Sequence, residues 1–232
     1  MLYINRSHVS HEALHAFTAS ALVLALLLLS FFIFEPTVGR AVSATTKIKQ
    51  TQVVTSEISF LATSSITMLP QIAGVTGGNS SGSSTVRVLT NNTLGYILTL
   101  QFSSSTAMTR NGGGGTIPNY NPTTKNIPDF TFSNEVFGQF AYTVRASTTV
   151  DLDASFKDNG TACNTGAADL ATKCWLNPSS TAAKTIVNRS TATLSSGATT
   201  TIGFRVNIPS NPVPAVQQGT YVATATLTAT TN

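Results

Sequence analysis

Apolar and polar residues alternate with a period of two along much of this chain, and the helical period of 3.6 is almost absent after the first fifty residues. In the last such stretch Tyr221, Ala223, Ala225, Leu227 and Ala229 face one way, and mostly threonines face the other. The same pattern covers residues 94–102, 140–145 and 202–208. Alternation of this kind is typical of half-buried strands in antiparallel sheets.

Turn-forming residues separate these strand patterns. The pair Asn91-Asn92 predicts a tight hairpin between two of them, and the Gly- and Ser-rich residues 77–82 predict a flexible loop. Two longer insertions, at about residues 110–128 and 151–183, predict elaborated loops. Eight or nine short strands with such gaps favour a single antiparallel β-sandwich over residues 45–232, immunoglobulin-like or pilin-like in type.

The N-terminus has a different pattern. Residues 16–34 carry no charge, and the small or compact residues Val42 and Ala44 fit the positions before a signal-peptidase site. We therefore expect residues 1–44 to be a signal peptide with a hydrophobic export helix, cleaved after Ala44. The alternative is a retained membrane anchor, because 19 apolar residues are enough to cross a bilayer. Contact with a membrane would then be made through residues 16–34.

Composition narrows the functional classes. Only 9% of the 232 residues are charged, whereas 38 are Thr and 25 are Ser. The net charge is +4, but the basic residues are scattered singly, which argues against nucleic acid as a partner. All three histidines lie within residues 1–44, so removal of that segment excludes His-based catalysis. We expect a protein that is not an enzyme; a hydrolase with an unrecognised carboxylate pair is a third alternative.

The two cysteines, Cys163 and Cys174, indicate an oxidising compartment. They are expected to form a disulfide and to place the protein outside the cell, secreted or on the cell surface. The alternatives are a redox pair, which usually has the spacing C-x-x-C, and a zinc site, which needs two more ligands.

Two small sets of residues are candidates for ligand contacts. The carboxylates of Asp151, Asp153 and Asp158 are the densest acidic cluster and the candidate ligands for Ca²⁺, although the spacing is not that of an EF-hand. The alternative for these residues is a solvated strand end. Trp175 and Tyr120 are candidate glycan contacts, and the alternative for Trp175 is packing over the disulfide. No other cofactor is predicted.

Two strands carry a family resemblance. Residues 219–227 (Gly-Thr-Tyr-Val-Ala-Thr-Ala-Thr-Leu) resemble the closing strand of exported bacterial pilin-like and spore-coat-U-like sandwiches. Residues 90–100 are similar to a motif of exported surface proteins and of WxL-type wall-binding domains, although Trp175-Leu176-Asn177 lacks the Trp-x-Leu spacing. The resemblance implies a non-catalytic surface role and no site residues.

The sequence thus predicts a secreted or cell-surface structural or adhesive protein that acts by non-catalytic interaction. Its expected partners are envelope polymers, glycans or copies of itself. The alternative function is a carbohydrate-binding module, with or without Ca²⁺.

Overall fold

The computed structural model describes residues 22–26, 51–62, 65–133 and 135–232. The chain divides into two compact units, Met1–Val53 and Val54–Asn232. Residues 22–26 of the first unit are helical; the rest of the expected export helix and the expected cleavage point after Ala44 lie outside the described residues. Within those residues, no helix has the length and apolar character needed to span a bilayer.

The second unit is built from antiparallel strands, so the predicted all-β class is confirmed. Two short 3-10 helices follow β6, at Thr149–Asp151 and Ala154–Phe156. The ten strands are β1 Ile58–Ala62, β2 Gly78–Thr90, β3 Tyr96–Phe102, β4 Met108–Arg110, β5 Thr116–Ile117, β6 Gln139–Ala146, β7 Lys184–Arg189, β8 Ala198–Ile208, β9 Tyr221–Ala223 and β10 Ala225–Thr231.

The strands form three sheets. The first sheet has the order β1-β2-β8-β6, the second β10-β3-β7, and the third, smaller sheet β5-β4-β9. Alternate residues of the first two sheets point into one shared core, as the period-two pattern predicts. The ring of Phe102 from the second sheet packs edge-on against Phe140 from the first, with centroids 5.9 Å apart. The two sheets therefore enclose the core between them.

The final strand is not continuous, which corrects the prediction for residues 221–229. β9 pairs with β4 and β10 pairs with β3, and the break falls at Thr224. The break arises because the segment that pairs with this strand is itself interrupted: residues 103–107 form a loop between β3 and β4. The backbone N–H of Ser103 donates to the carbonyl of Thr224 at this point. Alternation identified which side chains face inwards, but it carries no information about which strand lies alongside.

The predicted hairpin at Asn91-Asn92 is wrong. β2 and β3 belong to different sheets, so residues 91–95 carry the chain from one layer to the other. The positive φ angle falls on Gly95 (79°), where an added Cβ would lie 2.0 Å from the carbonyl oxygen of Arg189. The predicted flexible loop at 77–82 is also wrong for residues 78–82, because they pair with β8 as the first part of β2.

Two buried tyrosines, Tyr96 and Tyr142, limit the pH up to which the folded state is stable. Burial first, and the negative charge of Asp151 second, raise the pKa of Tyr96 to about 12. Burial also raises the pKa of Tyr142. Because the folded state favours the neutral phenols, their contribution to stability is complete below the unfolded pKa of about 10 and is lost as pH rises through the folded pKa. We expect alkaline unfolding to begin between these values, with tyrosinate absorbance of the buried rings appearing only together with the loss of far-UV circular dichroism. Early, independent ionisation of all tyrosines would contradict this expectation.

Candidate functional site

The insertion at residues 151–183 closes one side of the sandwich. Leu152 pairs with Val187 at the outer edge of β7, and Leu176 pairs with Tyr142 at the outer edge of β6. The predicted disulfide is confirmed, since Cys163 and Cys174 are bonded with their Cα atoms 5.6 Å apart. The insertion therefore braces the two sheets on this side and covers the backbone edge of each.

Loss of the disulfide is expected to lower the free energy of unfolding by roughly 3 kcal/mol, because the bond closes a short loop of the unfolded chain. The variant is Cys163→Ala/Cys174→Ala, and the measurement is equilibrium denaturation monitored by circular dichroism. The reduced wild-type protein is the matched control and should behave like the double variant. A denaturation midpoint equal to that of the oxidised wild type would contradict the expectation.

The three candidate Ca²⁺ ligands do not come together. Asp151 forms an ion pair with Arg189, with 2.5 Å between Oδ2 and Nη1. Asp153 accepts hydrogen bonds from the backbone N–H and hydroxyl of Ser155 and lies 3.2 Å from Nζ of Lys184. Burial alone would raise the pKa of Asp153, but the Ser155 hydrogen bonds and the Lys184 charge together lower it.

Asp158 has a different role inside the insertion. Its side chain is completely buried, and its two carboxylate oxygens accept hydrogen bonds from the backbone N–H groups of Gly160 and Leu170, each at 2.9 Å. Its own backbone pairs with Ala168. Asp158 thus organises the loop that carries the disulfide. In the part of the chain that the structure describes, no three His, Cys, Asp or Glu side chains form a metal-ligand group.

The two candidate glycan residues are brought together, but in a buried cluster. Tyr120 and Trp175 are each 2% exposed and pack with Ala141 and Phe132 on the outer face of the first sheet. The Phe132 ring lies 4.6 Å from the Tyr120 ring and 5.7 Å from the Trp175 ring. In this arrangement neither ring presents an open face on which a sugar could stack. Cys174 packs in the main core instead, so neighbouring residues serve different clusters.

Polar contacts hold this outer cluster in place. The hydroxyl of Tyr120 donates to Oδ2 of Asp129 at 2.7 Å, and burial first, with this hydrogen bond second, raises the pKa of Tyr120. Nε1 of Trp175 donates to the carbonyl of Thr172 at 2.9 Å. The guanidinium of Arg205 lies 5.1 Å from the Phe132 ring centroid, and burial lowers its pKa. The cluster therefore fixes residues 120–133 and 172–175 onto the sheet.

A depression of about 310 Å³ lies beside the outer cluster. Gly203 is one of its lining residues, and an added Cβ there would lie 3.0 Å from Cγ2 of Thr143. Five of the lining residues carry a hydroxyl group, one carries a guanidinium and none carries a carboxylate. The residues that line it are Ser81, Gly82, Ser83, Thr143, Arg145, Ala171, Thr172, Trp175, Thr201, Gly203 and Phe204. This is the arrangement of donors and acceptors that a polyhydroxylated or anionic ligand would use.

The other side of the sandwich has two open strand edges. Among the described residues, none pairs with the outer edge of β1 or of β10, which run close to each other on this side. On β1, Phe60 and Leu61 are 45% and 66% exposed. No charged residue lies within β1, and none follows Arg205 in the sequence. These edges therefore lack the charges by which strand edges are usually protected from pairing.

Hydrogen bonds to β3 determine which groups of β10 are open. The N–H of Ser103 donates to the carbonyl of Thr224, and the N–H of Asn232 donates to the carbonyl of Gly95. In an antiparallel pair such bonds recur at every second residue, so the even-numbered residues of β10 bond to β3. The odd-numbered residues point their N–H and C=O groups to the open side; they are Ala225, Leu227, Ala229 and Thr231. The alternation of apolar and polar residues does not by itself reveal which strand is outermost or which backbone groups are open.

The comparisons with known proteins add no relative. No model of a known protein family matches the chain, and no curated protein sequence is significantly similar to it.

Proposed function

We propose that this protein is a secreted or cell-surface structural or adhesive β-sandwich that acts by non-catalytic interaction through its strand edges. The observation that carries the proposal is the contrast between its two sides. One side is closed by the disulfide-bonded insertion, and on the other side the backbone groups of two uncharged strands are not paired by any residue that the structure describes. Open edges of this kind bind other strands through main-chain hydrogen bonds.

The chemistry of the described residues supports an extracellular location. The disulfide fits an oxidising compartment, where it would persist. Residues 1–44 would supply the export signal or anchor.

Fractionation of the source cells tests the proposal. The protein is expected in the medium or the envelope fraction, with an oxidised disulfide and an intact mass that corresponds to residues 45–232, or to the whole chain if the anchor is retained. The mass after reduction and alkylation distinguishes the disulfide from free thiols. A cytosolic product with two free thiols would overturn the proposal.

A second candidate function is glycan binding at the depression beside the outer cluster. The observation that favours it is a depression of about 310 Å³ lined by five hydroxyl-bearing residues together with Arg145 and Trp175. Because Trp175 and Tyr120 are buried, their removal would disturb the fold, so the test uses Ser83→Trp, which fills the depression from an exposed position. Binding on a glycan array that is lost in Ser83→Trp and kept in the exposed-strand control Thr109→Trp supports this function. Equal binding by both variants contradicts it.

A further inference from the structure

The free edge of β10 has the properties of a self-complementary interface. Seven residues of β10 pair with β3 on one side, and four of them direct N–H and C=O groups to the other side. A strand edge of this length is long for one that no described residue covers, since edges are usually short, charged or covered. In this molecule the other long edges, those of β6 and β7, are covered by residues 118–120, 152 and 176.

We infer that β10 pairs with β10 of a second copy, antiparallel and around a two-fold axis through Thr228. This inference rests on the proposed function, since it names the partner for the edge. In that register Ala225 bonds to Thr231 of the second copy, and Leu227 bonds to Ala229 of the second copy. All four open residues of each strand then lie in hydrogen-bonded pairs, which gives about eight backbone hydrogen bonds.

Besides the two-fold symmetry, the alternation of open and bonded residues along β10 restricts the register. Antiparallel pairing joins open groups to open groups, so an odd-numbered residue must face an odd-numbered residue. Centring the axis on Thr228 meets this condition along the whole strand. It also places Leu227 and Ala229, which pack towards the core, on the same side of the joined sheet as their counterparts. The product is a six-stranded sheet of order β7-β3-β10-β10-β3-β7.

Charge favours a second copy over a polyelectrolyte as the occupant. The chain carries a net charge of +4, so association of two copies is opposed wherever charged faces meet. The edge avoids this cost, because neither β10 nor β1 contains a charged residue. An anionic polymer would find no cation on β10 to bind.

Thr228→Lys tests the pairing directly. The side chain of Thr228 is exposed, so a lysine there should leave the isolated fold intact, but it would place two like charges opposite each other at the axis. We expect sedimentation equilibrium to show dimers of the wild type and a roughly tenfold or larger weakening of dimerisation in the variant. Mixing Thr228→Lys with Thr228→Glu should restore pairing. The matched control is Thr109→Lys, an exposed threonine on β4, which should dimerise like the wild type.

Amide hydrogen exchange supplies a second measurement that depends on the register. In the wild-type dimer, all amides of β10 should be protected. In the Thr228→Lys monomer, the amides of Ala225, Leu227, Ala229 and Thr231 should exchange quickly, while those of Thr226, Thr228 and Thr230 stay protected. A wild type that is monomeric at its highest soluble concentration, or a variant that dimerises as the wild type does, would overturn the inference. A monomer found at the cell surface would overturn it while leaving the proposed function in place.

Discussion

Deletion of residues 225–232 is expected to leave the chain unable to fold. β3 is the central strand of the second sheet, and β10 covers it at seven successive positions. Leu227 and Ala229 pack against the core, and Asn232 donates through Nδ2 to the carbonyls of Leu94 and Arg189. The free energy lost with these contacts is expected to be comparable with the total free energy of unfolding of a domain, about 5–15 kcal/mol.

Circular dichroism and thermal unfolding of the truncated chain measure this effect. The control is full-length Thr228→Lys, which alters the same strand without removing it and should unfold cooperatively near the wild-type temperature when both proteins are diluted to monomers. Addition of a peptide with the sequence of residues 221–232 should restore structure to the truncated chain. A truncated chain that unfolds cooperatively with wild-type stability would show that β10 is dispensable.

Replacement of Asp158 by alanine is expected to lower the free energy of unfolding by about 2–4 kcal/mol. The substitution leaves the backbone N–H groups of Gly160 and Leu170 without their acceptor inside a buried loop. Asp158→Asn retains one acceptor oxygen and should have an intermediate effect. The half-exposed Asp153, on the same insertion, provides the matched control Asp153→Ala, with an expected loss of about 1 kcal/mol.

Urea denaturation of the four proteins, with and without Ca²⁺, checks both the size of the effect and its origin. We expect Ca²⁺ to leave the wild-type midpoint unchanged, because the Asp158 oxygens are occupied by backbone donors. If Ca²⁺ raised the urea midpoint of the wild type but not that of Asp158→Ala, this result would show that Asp158 is a metal ligand.

The strands were predictable because their pattern is local. Tyr96, Leu98, Leu100 and Phe102 alternate with less buried neighbours, and they line the core as expected. The same argument failed at residues 221–229, since the break there is caused by residues 103–107, more than a hundred positions away. The asparagines at 91 and 92 carry a turn signal, but a change of layer and a hairpin use similar residues. The local sequence predicts that the chain turns, but the strands with which the flanking segments pair determine the direction it takes.

The candidate site was less predictable than the fold. Trp175 and Tyr120 were identified by residue type, and the structure brings them together. Their burial on the outer face of the sheet depends on a loop that folds over that face, and the residue types alone do not reveal such a loop. Asp151, Asp153 and Asp158 are close in sequence, but each carboxylate bonds to a different group of the protein. The three carboxylates therefore do not converge on one site. The disulfide was predictable, because a chain with two cysteines has only one possible intramolecular pairing.

The closed side of the sandwich limits how many copies a β10 contact can recruit. If two copies pair through β10, the two-fold contact uses that edge in both partners. Described residues cover the edges of β6 and β7, so the shorter edge of β1 is the one left open to a third chain. Growth through β10 alone would therefore end at a pair, which would limit the fibre formation to which uncharged threonine-rich strands are prone. In such a pair, the insertion bonded through Cys163 and Cys174 would also keep further chains from adding at β6 and β7.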